Sequence, residues 1–137
     1  MSQNTHCPCG SGFPYNACCA PLHAGIAKAQ TAEQLMRSRY SAFAKGLAKY
    51  LVKTRAPAMR GASDFQDIKT MIANTEWLGL EILDQELGQA ADQIGEVEFI
   101  ARYASNGQIG QLHERSRFIK DQDDWYYLDG DLDSDIQ

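Results

Sequence analysis

Apolar side chains recur at helical spacing in the first half of the chain and at alternate positions in the second half. The clearest helical repeat, at intervals of three or four residues, consists of Met36, Tyr40, Phe43 and Leu47. This spacing places its members on one face of an α-helix. Thr31, with Gln34 three residues later, has the form of a capping box. We therefore predict a helix that begins after Thr31 and ends near Lys45.

Two shorter helices are predicted between this helix and the second half of the chain. One covers residues 47–54 and ends before Pro57, because the residue before a proline disfavours the helical conformation. The other covers residues 63–73, with Ser63 as its capping residue. Its inward-facing side chains are expected to be Phe65, Ile68, Met71 and Ile72.

The alternating pattern of the second half predicts a four-stranded antiparallel meander. Turn-forming residues separate its strands, notably Asn106-Gly107 and the segment 121–123. The predicted strands cover residues 77–87, 93–103, 108–120 and 124–129. Helices followed by such a sheet give the α+β fold class. A long sheet curved over helices would form a cone with an interior cavity. The acidic segment 129–135 is expected to be a frayed, solvated end.

Strand alternation places one carboxylate on the apolar face of this sheet. Glu114 shares its face with Leu112 and Phe118, whereas His113 falls on the opposite face and is expected to be exposed. A carboxylate among aromatic rings either has a raised pKa or pairs with a cation. Arg37 and Arg39 on the first predicted helix are the natural partners, and a salt bridge to one of them is the expected arrangement.

Four cysteines, Cys7, Cys9, Cys18 and Cys19, lie within thirteen residues near the start of the chain. Two close pairs separated by a loop supply the tetrahedral thiolate ligands of a structural zinc (Zn2+) site. Cysteines this close in sequence are poorly placed for an unstrained disulfide. Glycines in the loop allow backbone N–H groups to turn toward the sulfur atoms. Four cysteines also suit an iron–sulfur cluster, and His6 or His23 could replace one ligand.

Composition and charge narrow the class of protein further. The 137 residues have 44% hydrophobic and 23% charged side chains, which is typical of one globular domain. We find neither a secretory leader nor an apolar run long enough to span a membrane, and therefore expect a cytoplasmic, bacterial protein. Residues 1–60 contain eight basic side chains and one acidic side chain, whereas residues 61–137 contain five basic and seventeen acidic side chains. A basic half can bind nucleic acid, although packing between the halves would neutralise the same charges.

Two known modules resemble parts of this sequence. Cys7-Pro-Cys-Gly-Ser-Gly12, followed by Cys18-Cys19, resembles the SEC-C motif, a small zinc module that serves for docking in the preprotein translocase ATPase. Five later blocks, at 35–43, 75–80, 98–103, 113–118 and 125–130, are similar to the YchJ-like family of uncharacterised bacterial proteins. The resemblance implies a SEC-C motif at 1–24 and an NTF2-like domain at 25–137. The loop lacks the lysines usual between the cysteine pairs of the motif.

Two functions are compatible with these features. The first is a zinc-containing binding or adaptor protein without catalysis, which would bind a protein partner or a small ligand and could form a homodimer. The second is a small-molecule enzyme with Glu114 as general base in the cavity. The possible pocket residues are Arg39, Tyr40, Trp77, Tyr103 and Glu114. We assign no catalytic residue, because one candidate base without a group to stabilise developing charge is insufficient evidence for an active site.

Overall fold

A computed structural model describes residues 6–132 of the chain. Its elements are the helices α1 (Ala20–His23), α2 (Ala32–Lys45), α3 (Ala48–Lys53) and α4 (Asp64–Asn74), followed by the strands β1 (Glu76–Leu87), β2 (Ile94–Ser105), β3 (Gln108–Asp121) and β4 (Asp124–Leu132). Short 3-10 turns cover Tyr15–Ala17 and Pro57–Met59. No helix in this part of the chain combines the length and the apolar content needed to cross a bilayer.

The strands form one antiparallel sheet in the order β1-β2-β3-β4, which confirms the predicted meander. The β2–β3 turn contains Asn106 and Gly107 with φ of 55° and 78°. Gln122 and Asp123, with φ of 51° and 71°, form the β3–β4 turn. Positive φ at both central residues is the conformation that matches the twist of a two-residue hairpin.

Strand β4 is longer than the sequence pattern predicts. The expectation of a frayed end from residue 129 onward is wrong for residues 129–132, which pair with β3. Arg117 on β3 binds Asp129 at 2.6 Å and Asp131 at 2.8 Å, so opposite charges across the strands extend the ladder. Residues 133–135 of the acidic segment lie outside the described residues.

Helix α2 begins and ends at the predicted residues. The hydroxyl of Thr31 accepts a hydrogen bond from the backbone N–H of Gln34 at 3.1 Å. The Gln34 side chain accepts from the N–H of Gln30 at 2.6 Å, one residue before the cap, so the capping interaction reaches further back than predicted. Gly46 ends the helix in the left-handed conformation with φ of 77°, which glycine adopts without steric cost.

Helix α4 stands at the side of the sheet and packs mainly against α3. The prediction that Phe65 and Met71 face inward is wrong, because they are 40% and 47% exposed. Ile68 and Ile72 do pack against the small apolar cluster around Leu51. Ser63 occupies the N-terminal cap position without a capping hydrogen bond, because its hydroxyl donates to the Asp67 side chain. A helix with so few buried contacts leaves space between itself and the sheet.

The main core lies between α2 and the apolar face of the sheet. The predicted apolar face of β2 and β3 is confirmed, since Val97, Phe99, Ala101 and Phe118 are each at most 6% exposed. Helix α2 packs against β1, β2 and β4 from above. Cysteines of the N-terminal segment belong to the same core, so this segment is packed into the domain.

Candidate functional site

The four cysteines converge in the structure. Their sulfur atoms all lie within 4.8 Å of one another, with Cys9 Sγ 3.6 Å from Cys18 Sγ, and Cys18 Sγ 3.9 Å from Cys19 Sγ. None of the four forms a disulfide. Cys7, Cys9 and Cys19 are at most 3% exposed, and Cys18 is half-buried. Sulfur donors grouped this closely could bind a metal ion.

The loop between the cysteine pairs is closed by its own hydrogen bonds. The N–H of Cys7 donates to the carbonyl of Phe13 at 2.8 Å, which brings the two ends of the loop together. The Ser11 hydroxyl lies 3.1 Å from Cys18 Sγ, and the backbone N–H of Ser11 donates to the sulfur of Cys9. Backbone N–H groups were expected around the sulfur atoms. The Ser11 hydroxyl adds a second kind of polar contact that supports negative charge there.

Crowding of the thiols shifts their pKa values in opposite directions. Hydrogen bonds from Cys19 and, to a smaller extent, from Ser11 outweigh the effect of burial and lower the pKa of Cys9 to about 4. Burial raises the pKa of Cys18 to about 11. The hydrogen bond with Cys9, together with burial, raises the pKa of Cys19 well above its usual range. Without a cation one thiolate is favoured and its neighbours retain protons, whereas a divalent metal would displace those protons.

His23 packs beside the cluster without joining it. Its Nδ1 accepts a hydrogen bond from the Tyr15 hydroxyl at 2.7 Å, and its Nε2 donates to the carbonyl of Ser38 at 2.8 Å. Burial lowers the pKa of His23, which favours this neutral form. Both ring nitrogens are therefore occupied, and His23 fastens α1 to α2.

Side chains of α2 fix the cluster to the rest of the fold. Arg37 donates from Nη1 to the carbonyl of Cys9 at 2.7 Å and from Nε to Glu33 at 2.8 Å. The hydroxyl of Ser41 lies 3.1 Å from Cys7 Sγ. Arg37 and Ser41 lie one helical turn apart, so one face of α2 contacts both cysteines of the first pair.

A cavity of about 350 Å³ lies between α2, α4 and the sheet. Aromatic and aliphatic side chains supply most of its surface, and its charged groups come from α2, from the start of α4 and the segment before it, and from β3. It is lined by Met36, Arg39, Tyr40, Phe43, Arg55, Asp64, Asp67, Ile68, Met71, Trp77, Phe99, Ala101, Leu112, Glu114, Ser116, Phe118 and Tyr127. Cavities of this size bind small organic ligands in many proteins.

Four of the five pocket residues named from the sequence line this cavity. Tyr40 and Trp77 pack edge to face, with ring centroids 5.8 Å apart, and Arg39 and Glu114 supply charge. Tyr103 is not part of the lining. Its ring packs on Trp77 at a centroid distance of 5.7 Å and supports that side chain from behind.

Glu114 is held by hydroxyl groups. Its Oε2 accepts hydrogen bonds from the Ser116 hydroxyl at 2.6 Å and from the Tyr127 hydroxyl at 3.1 Å. The prediction of a salt bridge is wrong, because among residues 6–132 Glu114 forms no ion pair with Arg37 or Arg39. Arg37 points toward the cysteine cluster instead.

Tyr127 was not identified from the sequence, although it organises this end of the cavity. The guanidinium carbon of Arg39 lies 4.7 Å above the centroid of its ring. Arg39 Nη1 also donates to the Leu51 carbonyl at 2.8 Å and to the Thr54 hydroxyl at 2.7 Å. Burial raises the pKa of Tyr127 to about 12, so the phenol remains a hydrogen-bond donor at neutral pH. The sequence did contain a signal for Tyr127, because it follows Trp125 by two residues in a predicted strand and therefore shares the face of that buried aromatic residue.

Gly130 provides the space that the Glu114 carboxylate occupies. A Cβ atom at this position would overlap Glu114 Oε2. We expect Gly130→Ala to reduce the free energy of unfolding by about 1–3 kcal/mol, because the carboxylate must leave its two hydroxyl donors. The matched control is Gly79→Ala, where no atom lies within 4 Å of the added Cβ. Urea denaturation compares the two variants, and equal stabilities would contradict this account of Glu114.

The opposite face of the sheet is a network of ion pairs. Arg115 contacts four carboxylates, those of Asp84, Glu86, Glu96 and Glu98. These partners raise the pKa of Arg115 beyond its usual range. The expectation of an exposed His113 on this face is wrong, because its side chain is 11% exposed and its Nε2 donates to Glu98 at 2.6 Å.

Comparison with known proteins places the fold in a family. Residues 31–130 match the family model of the middle NTF2-like domain of YchJ. The solution structure of a SEC-C motif containing protein from Rhodopseudomonas palustris is 36% identical, with a TM-score of 0.85, and the match covers 93% of this chain and 98% of that one. The crystal structure of a SEC-C motif containing protein from Psychrobacter arcticus is 30% identical, with a TM-score of 0.80 and coverage of 100% and 88%. The chain therefore belongs to the YchJ-like NTF2 family, as its sequence blocks predict.

Proposed function

We propose that this chain is a zinc-containing, non-enzymatic binding protein. In this proposal Cys7, Cys9, Cys18 and Cys19 hold a structural Zn2+ ion, and the cavity of the NTF2-like domain accepts a small ligand. The observation that carries the metal assignment is the convergence of four largely buried sulfur atoms within 4.8 Å.

The sulfur spacing supports zinc in a tetrahedral site. A zinc–sulfur distance of about 2.3 Å corresponds to a spacing of about 3.8 Å between the corners of a regular tetrahedron. The distances of 3.6 Å and 3.9 Å from Cys18 Sγ to its neighbours fit this value. Four thiolates complete the coordination shell, whereas a catalytic zinc keeps a position for water or substrate. The metal would therefore act on stability.

Contacts of the cluster with α2 explain how the metal would support ligand binding. One face of α2 binds the cysteine loop through Arg37 and Ser41, and another face lines the cavity through Met36, Arg39 and Tyr40. A metal ion that fixes the loop would thereby hold one wall of the cavity in position. Helix α2 would thus connect the metal site with the cavity.

Cobalt substitution tests whether the metal shell is closed. We expect the Co2+-loaded protein to show the intense visible bands of tetrahedral cobalt and the charge-transfer bands of thiolate ligands. Added cyanide at moderate concentration should leave the spectrum unchanged, because no coordination position is open. A spectrum that shifts on saturable cyanide binding would contradict the structural assignment. Protein purified with the brown colour of an iron–sulfur cluster would contradict the choice of zinc.

The second candidate is an enzyme that uses Glu114 as general base. The observation in its favour is that Glu114 lines the cavity without an ion pair to Arg37 or Arg39 in the described chain. However, Oε2 already accepts hydrogen bonds from the hydroxyls of Ser116 and Tyr127, and no separate group that would stabilise developing charge has been assigned beside it. Non-catalytic binding is therefore the better supported function. It predicts that a bound small molecule is recovered chemically unchanged, as mass spectrometry after prolonged incubation would establish.

A further inference from the structure

One end of the cavity presents a cation and an anion fixed on the same tyrosine. The guanidinium of Arg39 stacks on the ring of Tyr127, and the Tyr127 hydroxyl binds the carboxylate of Glu114. The two charged groups form no ion pair with each other, as noted above. The tyrosine thus keeps opposite charges near one another but separate.

Both charged groups retain unused hydrogen-bonding atoms. Within residues 6–132, the hydrogen bonds of Arg39 involve Nη1, and those of Glu114 involve Oε2. Some buried polar side-chain atoms in this part of the chain have no hydrogen-bond partner, and these do not include Arg39 Nε, Arg39 Nη2 or Glu114 Oε1. The three atoms therefore remain accessible. Since both residues line the cavity, these atoms can reach a ligand there.

The other charged groups of the cavity lie at the start of α4 or contact it. Asp64 accepts a hydrogen bond from the N–H of Gly61 at 2.9 Å and lies 3.8 Å from Arg55 Nη1. Asp67 accepts from the Ser63 hydroxyl at 2.9 Å. These groups fix the start of α4. Among the charged lining residues, Arg39 and Glu114 are the two that meet on the Tyr127 side chain, so a ligand at this end of the cavity would contact these two.

We propose that the cavity binds a zwitterionic α-amino acid with an aromatic side chain, its carboxylate on Arg39 and its ammonium group on Glu114. This assignment rests on the proposed function, in which the cavity accepts a small ligand. A zwitterion supplies a counter-charge to each group, as charges in a low-dielectric cavity require. The side chain would lie among Trp77, Phe99 and Leu112, where edge and face contacts between rings are available.

Isothermal titration calorimetry of the full-length, metal-loaded protein tests the proposal. The probes are L-phenylalanine, 3-phenylpropionate without the ammonium group, phenethylamine without the carboxylate, and uncharged 2-phenylethanol. We expect L-phenylalanine to bind at least about tenfold more tightly than any of the other three, because each charge-assisted pair contributes that much or more. The substitution Glu114→Gln should lower the affinity for L-phenylalanine by a similar factor. The control Glu81→Gln, on a half-exposed carboxylate paired with Arg102, should not change it.

The possible outcomes separate this inference from the proposed function. If all four probes bind with similar affinity, the charge assignment is overturned, while ligand binding in the cavity stands. If none binds up to millimolar concentration, the assignment of the amino acid is overturned. If that failure extends to a panel of uncharged aromatic compounds, ligand binding in the cavity is contradicted as well. Because the four probes are compared on the same unmodified protein, the result does not depend on the folding of a variant.

Discussion

Replacing Cys9 by serine is expected to abolish stoichiometric metal binding and to lower the free energy of unfolding by more than about 4 kcal/mol. Cys9 is fully buried, and its sulfur is at hydrogen-bonding distance from Cys18. A serine hydroxyl is a poor zinc ligand, and at this position it would be a buried polar group. Loss of the metal would also release the contact between the Cys9 carbonyl and Arg37, which joins the loop to α2.

The matched control for this variant is Ala17→Ser. Ala17 is exposed and lies directly before Cys18. The substitution therefore introduces the same hydroxyl next to the site without removing a ligand. Elemental analysis and guanidinium denaturation of both variants provide the comparison. We expect Ala17→Ser to retain one metal ion per chain and the wild-type stability. A Cys9→Ser protein with full metal content and unchanged stability would refute the structural role.

Phe118→Ala is expected to reduce the free energy of unfolding by about 3–5 kcal/mol. Phe118 is 1% exposed and lies on the apolar face of the sheet, where its ring packs on Tyr127 at a centroid distance of 5.9 Å. The substitution removes most of a buried aromatic side chain. It also removes support from the tyrosine that holds Arg39 and Glu114, so L-phenylalanine binding should weaken with it.

Phe13→Ala provides the control for this core substitution. Phe13 is 62% exposed in the loop between the cysteine pairs, and its truncation should change the stability by no more than about 0.5 kcal/mol. Thermal unfolding followed by circular dichroism is sufficient to separate effects of this size. Similar losses for the two phenylalanines would mean that the core is not located between α2 and β3.

Local patterns in the sequence were enough to predict most of the secondary structure. The part of the repeat from Met36 to Phe43 lies on the inward face of α2, whereas Leu47 lies beyond the end of this helix. Alternation along β2 and β3 separates Val97 and Phe99 from the charged face. The four cysteines were also identified directly, because their ligand chemistry depends on residue type and close spacing. These features arise from interactions between residues near one another in the sequence.

Features that depend on distant pairs were not predictable in the same way. The sequence suggests Glu114 as the partner of Arg37 or Arg39, and only the packing of the N-terminal loop on α2 directs Arg37 to the Cys9 carbonyl, 28 residues away. The same packing leaves Glu114 to the hydroxyls of Ser116 and Tyr127. The exposure of Met71 has a similar origin, since helical periodicity does not specify how far α4 stands from the sheet.

The measurement that tests the central claim most directly is X-ray absorption spectroscopy at the zinc edge of the purified protein. The proposed site predicts one zinc ion per chain with four sulfur neighbours at about 2.3 Å and no oxygen or nitrogen neighbour. A spectrum that requires an oxygen or nitrogen ligand at about 2.0 Å would contradict the closed four-thiolate site. Protein without stoichiometric zinc would contradict the assignment of the metal itself.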